Sequence, residues 1–158
     1  MAAFIADVVK SGGLEEHIKT TLLPAYARRQ VSLDKAIKTY LVPLGLHQAE
    51  MASTSSSGPV GGGYFTWLYL PKPLKAAALA ERAMDEEQLV IAAGDLFKVA
   101  DDDSEQNAFG EAIRLCFAWE EEDNLVEGVK RLARVIRKIK ESGDDYKTVG
   151  KLDLSKFR

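Results

Sequence analysis

From Leu14 to about Val42 the apolar residues Leu14, Ile18, Leu22, Tyr26, Leu33, Ile37 and Leu41 recur three or four positions apart, with a slip around Val31. That spacing predicts helix with one buried face. Gly12-Gly13 separates it from a shorter apolar stretch at Ala2 to Val9, and Pro24, which lacks an amide, is expected to kink or divide it. Ser32, ahead of Leu33-Asp34-Lys35, is placed to cap a restarted helix. Leu44 to Met51 and Tyr64 to Leu70 read as strands, joined by a small polar loop at Ala52 to Pro59, and Pro71 and Pro73 stop the second. Leu74 to Glu87 is alanine-rich and predicts a helix with Leu79, Ala80 and Ala83 on one side. Two further strands are expected at Leu89 to Ala93 and Ile113 to Ala118, with an acidic solvated loop at Asp101 to Glu105 between them. The clearest element is a final helix from Glu120 to Glu141, where Leu125, Val129, Leu132, Ile136 and Ile139 form a continuous stripe.

This order predicts an α+β fold, a small and mostly antiparallel sheet covered by helices on one face. The expected organisation is linking helices over 1–42, a small domain over 43–141 and a polar tail over 142–158. A length of 158 residues suits one domain. A net charge of -3 lacks the basic excess of a dedicated nucleic-acid binder. Acids at the head of the last helix and the bases Arg134, Arg137, Lys138 and Lys140 toward its end match the helix dipole, so the basic end implies no nucleic-acid partner. No apolar run approaches the roughly 20 residues that span a bilayer, so no membrane partner is expected. Asp7 interrupts the start before any basic leader and apolar block, which points to a cytoplasmic protein. With one cysteine and two histidines a zinc site would have to lean on carboxylates, and no metal is expected.

The punctuation is more specific than the element order. Gly61-Gly62-Gly63-Tyr64-Phe65-Thr66-Trp67-Leu68-Tyr69-Leu70-Pro71, then Ala93-Gly94-Asp95-Leu96-Phe97, then Ile113-Arg114-Leu115-Cys116-Phe117-Ala118 precede the stretch Glu121 to Leu132. Together they resemble the C-terminal small domain of fold-type I, pyridoxal-phosphate-dependent class I/II aminotransferases, especially the aminoadipate/kynurenine-like group common in fungi. His17-Ile18, Pro24, Tyr26 and Arg28-Arg29 look like the linking helix that leads from the family's large domain into the small one. The resemblance covers most of residues 3 to 140. The family's Schiff-base lysine, the acid that pairs with the pyridine nitrogen and the phosphate cup all lie in the large domain, which has no counterpart here. No bound cofactor is therefore expected.

The resemblance implies that Arg114 grips a substrate carboxylate through a two-pronged pair. Independently, an arginine centred in an apolar strand calls for a partner for its charge, and a salt bridge to a local acid would serve equally. Tyr64 and Trp67 are its expected neighbours in a ligand slot, with Phe65 and Phe97 also available, although alternation must send half of these aromatics into the core. The glycine run reads as a flexible approach to a strand rather than a phosphate loop, because it does not open a helix. His17, beside Glu15-Glu16, reads as a surface residue, and Cys116 reads as a small buried hydrophobe with Arg114 alternating to the other face.

Three functional readings follow. One is a free-standing small-domain homologue that has lost transamination and binds an amino-acid-derived carboxylate, with a cofactor-independent isomerisation or cyclisation open to it. A second is a non-catalytic subunit that completes a separate large-domain chain or pairs with its own copy, since Phe4, Ile5, Val8 and Val9 would otherwise be uncovered. The third is a piece of a full aminotransferase.

Overall fold

The computed structural model describes residues 2–48, 63–98 and 109–142. Helix α1 (Ala2–Lys10) ends at Gly12, whose φ of 76° sets the left-handed turn that starts α2 (Gly13–His17). A π-helical turn (Ile18–Leu22) then leads into α3 (Leu23–Tyr40) with helical dihedrals throughout. Pro24 therefore does not divide the helix. It occupies the first turn of α3, where a missing amide costs little, and the wide turn before it absorbs the change of register, the Leu23 amide donating to the Ile18 carbonyl. Nor does Ser32 cap a restart. It lies inside α3 and its hydroxyl donates to the Glu122 carboxylate at 2.9 Å.

A 3₁₀ turn (Val42–Leu44) and Gly45 at φ 90° carry the chain into β1 (His47–Gln48), so residues 44–46 of the expected strand precede it, and 49–51 lie outside the described residues. Strand β2 (Phe65–Tyr69) runs to the turn at Pro71. Helix α4 (Ala76–Glu87) stops at Gln88, in the left-handed region, with the Leu89 amide donating back to the Ala83 carbonyl. After it β3 keeps only Ala92–Ala93 of the expected five residues; 3₁₀ turns at Gly94–Phe97 and Phe109–Glu111 follow. Strand β4 (Ala112–Cys116) ends two residues short of Ala118, and α5 spans Glu122–Ser142. The loop at 52–59, the acidic tract at 101–105 and the tail after 142 lie outside the described residues.

The sheet is antiparallel throughout in the order β1-β2-β4-β3, with Trp67 opposite Arg114 and Ala92 opposite Arg114 on the other side. Leu68 and Ile113 face the helices and share one core with Ile37 of α3, Leu79 and Ala83 of α4, and Leu132 and Ile136 of α5. All five stripe residues of α5 are buried, as are Leu79, Ala80 and Ala83. The expected α+β fold with helices on one face is the one observed.

Charges at the two ends of α5 match its dipole, and tertiary partners add to them. Arg29 donates to the Ala118 carbonyl at 2.9 Å and pairs with Glu121 at 2.5 Å, and Arg28 pairs with Glu122 at 3.3 Å. Lys140 is the base in the last turn of α5. Arg134 sits two turns earlier and grips Glu87 of α4 at 2.8 Å, while Lys138 reaches Glu86 at 3.2 Å. The Glu87 carboxyl is held below the usual value of 4.5 by the hydrogen bond from Arg134.

Candidate functional site

The face of the sheet that carries no helix presents Phe65 and Trp67 from β2, Ala92 from β3, and Arg114 and Cys116 from β4. Alternation with period 2 puts residues two apart on the same side. Arg114 and Cys116 therefore share this face, and Cys116 is exposed, which corrects both expectations made for it. Tyr64 turns the other way. Its ring meets Tyr26 of α3 edge-on at 5.4 Å and does not line the pocket beside Arg114.

The Arg114 guanidinium lies between two rings, 3.9 Å from the centroid of Phe65 and 3.6 Å from that of Phe97. Stacking on both flat faces contributes about 0.5–2 kcal/mol per ring depending on solvation, and leaves only the rim of the guanidinium for hydrogen bonding. Its Nε is buried and has no hydrogen-bond partner. The salt bridge to a local acid, the plain alternative for this arginine, is absent among the described residues. Trp67 packs edge-on against Phe97 at 5.5 Å and Phe109 at 6.2 Å, so it braces the ring that holds Arg114. Gly94 sets the position of Phe97: a Cβ there would collide with the carbonyl oxygens of Phe109 and Ala112.

Arg114 borders a cavity of about 350 Å³. The cavity exists because β3 and β4 share just two residue pairs, and the stretch from Leu89 to Ile91, aimed by the left-handed stop at Gln88, diverges from β4. The first half of α5 closes the gap with Asn124, Leu125, Gly128 and Val129, and Trp119 stands at its rim, 85% exposed. Of the residues that sequence reading selected, Arg114 and Phe65 line the cavity, whereas Trp67, Phe97 and Tyr64 do not, and Val90, Trp119 and Gly128 were missed. A lone tryptophan between a strand and an acidic helix start was the available signal for Trp119.

His17 is exposed on its helix, and His47 stacks on Tyr69 at 5.3 Å; neither lines the cavity. Among the described residues no three His, Cys, Asp or Glu side chains lie where they could hold a metal ion, and no helix is long and apolar enough to cross a membrane.

Folded this way, the described residues have the fold of part of an aminotransferase of the fold-type I, pyridoxal-phosphate class. The valine-pyruvate aminotransferase of Salmonella typhimurium superposes with a TM-score of 0.70 at 21% identity, over 89% of this chain and 34% of that one. In sequence, a 2-aminoadipate transaminase of Thermus thermophilus is 35% identical over 77 residues, 48% of this chain and 17% of the relative. An uncharacterized protein of Saccharomyces cerevisiae is 27% identical over 133 residues, 84% of this chain and 27% of its own. The chain thus spans about a third or less of the proteins it matches. No family model matches it.

That fold class implies pyridoxal phosphate, and the cavity does not suit it as a covalently anchored group. Among the described residues Arg114 is the sole cation in the lining, no lysine is present there to form a Schiff base, and the one acid is the exposed Glu120. The chemistry available here is that of a guanidinium rim above an apolar hollow.

Proposed function

We propose that this chain is a homologue of the C-terminal small domain of class I/II aminotransferases that binds an amino-acid-derived carboxylate on Arg114, without pyridoxal-phosphate transamination machinery of its own. The observation that carries the reading is the buried, unpartnered Nε of an arginine clamped between Phe65 and Phe97 at the edge of a cavity. A buried donor without a partner costs roughly 1–3 kcal/mol; that nitrogen is itself closed to solvent, and a carboxylate docking on the terminal Nη groups of the same guanidinium would supply the charge partner that the described residues do not. Binding of this kind leaves room for cofactor-independent isomerisation or cyclisation of the bound acid. A cytosolic setting agrees with this ligand class.

Calorimetric titration of the full chain with L-amino acids and the matching 2-oxo acids tests the reading. Saturable binding that is weakened in Arg114→Lys, in a variant with an unchanged circular dichroism spectrum, is the expected result, and equal affinity in that variant overturns it. After expression with excess pyridoxal phosphate and dialysis, the protein is expected to be colourless. One equivalent of yellow chromophore per chain would contradict the loss of transamination.

A second reading rests on the N-terminal helices. Ile5 and Val9 of α1 are each 57% exposed, and Leu14, Ile18 and Leu23 continue the apolar surface. Such surface suits a subunit that meets a large-domain chain or a second copy of itself. Light scattering on the full chain and on a version lacking residues 1 to 11 decides: a monomer in both, equally soluble, removes this reading.

A further inference from the structure

The ligand of Arg114 can be narrowed by the cavity beside it, an argument that rests on the carboxylate reading above. We propose that the site takes a monocarboxylate with an aliphatic or aromatic body, its carboxylate on the rim of Arg114 and its body in the gap between residues 89–92 and the first half of α5.

Three observations carry this. First, among the described residues the lining holds one cation, and both of its flat faces are covered by Phe65 and Phe97, so it can satisfy one carboxylate, end-on through its two Nη groups. A second acid on the ligand would find no base and would face Glu120. Second, away from Arg114 the walls are Val90, Ile91, Leu125 and Val129, with Asn124 as the one amide. An apolar body gains by leaving water there, whereas a hydroxylated or charged one would lose hydrogen bonds without replacement. Third, a volume of about 350 Å³ lies at the lower end of the roughly 300–1,000 Å³ of ligand cavities, which suits a compact body rather than a nucleotide or a long peptide.

The chain reports on this site through its own residues. Its two tryptophans, Trp67 and Trp119, flank the site, and its single cysteine, Cys116, lines the cavity. Tryptophan fluorescence and alkylation of Cys116 are followed while the full chain is titrated with hexanoate, glutarate and hexanamide. Hexanoate is expected to bind at least about tenfold more tightly than either of the others and to slow alkylation. Arg114→Gln should remove the preference for hexanoate over hexanamide. Val90→Glu changes a surface-exposed wall residue, 62% exposed and outside the core, and should weaken hexanoate binding while leaving the melting temperature unchanged.

If glutarate binds as tightly as hexanoate, and both depend on Arg114, the carboxylate reading stands and the apolar ligand class is overturned. Hexanoate binding that Val90→Glu leaves unaltered also overturns the placement of the body. If neither acid binds, or hexanoate binds equally well to Arg114→Gln, the carboxylate reading itself fails and takes the proposal with it.

Discussion

The two faces of one sheet solve opposite problems with the same strands. On the covered face, Leu68 and Ile113 are fully buried against Ile37, Leu79, Leu132 and Ile136, with no buried polar or charged residue among the described ones. On the open face, one residue along from Ile113, Arg114 keeps a buried nitrogen unpaired between two aromatic rings. The arginines of α3 and α5 make the contrast sharper. Arg29 and Arg134 each have carboxylate partners, Glu121 for the first, Glu87 and Glu127 for the second. These scaffold arginines are paired with acids, whereas Arg114 on the open face has none among the described residues. The difference separates residues that hold the fold from a residue held by it.

The largest expected effect falls on the covered face. Ile136→Ala should cost about 2–5 kcal/mol in a urea melt, because its side chain is fully enclosed and the cavity left cannot collapse. Arg114→Gln in the same assay should change stability far less; a comparable loss would erase the contrast and make Arg114 a structural residue.

Next comes Gly94→Ala. The added methyl meets the Phe109 and Ala112 carbonyls, both backbone, so the two 3₁₀ turns must separate, at a cost of about 1–3 kcal/mol. Because Phe97 follows on the same turn, the variant should also weaken any ligand bound at Arg114. Thermal melting gives the first effect and calorimetry the second, and a loss of stability with binding intact would uncouple the turn from the site.

Arg114→Lys isolates the geometry of the fork from the charge. An ammonium cannot donate through two fixed nitrogens at once, so carboxylate affinity should fall by about 1.5–3 kcal/mol with the fold unchanged.

The smallest effect is the pH dependence of the helix-to-helix network. Burial works to raise the Glu86 carboxyl, but hydrogen bonds from Arg82 and Lys138 outweigh it and leave it below its ordinary 4.5. The Arg134 hydrogen bond lowers Glu87, and that of Lys75 lowers Glu111. Folded values below the unfolded ones mean that this stabilisation is complete above about pH 4.5 and is lost as pH falls through the lower folded values. Glu87→Gln should therefore melt with a shallower decline between about pH 5 and pH 3 than the parent chain. An identical decline would show that the α4–α5 pairs contribute nothing measurable, as exposed pairs often do.

Most of the scaffold was legible because burial writes a period into the chain. The stripe on α5 and the apolar side of α4 follow from three- and four-residue spacing that no other structure satisfies, and all the residues selected there are buried. Pro24 and Ser32 were misread because their local preferences favour breaks and caps, whereas a π turn and a contact with Glu122 across to α5 override them. Cys116 was misread because a short apolar strand does not declare which of its faces is covered.

Arg114 itself stood out in the sequence, as a charge in the middle of an apolar strand. The sequence also determined the class of fold, the order of the elements and the aromatics available to the site. Only the tertiary structure decided that Phe65 and Phe97, 32 positions apart, close on the two faces of that guanidinium while Tyr64 turns to Tyr26. It alone decided that residues 89–91 part from β4 and open a cavity. Both depend on strand register and on where a two-residue ladder ends, and those are set by packing between segments distant in the chain rather than by the preferences of any one of them.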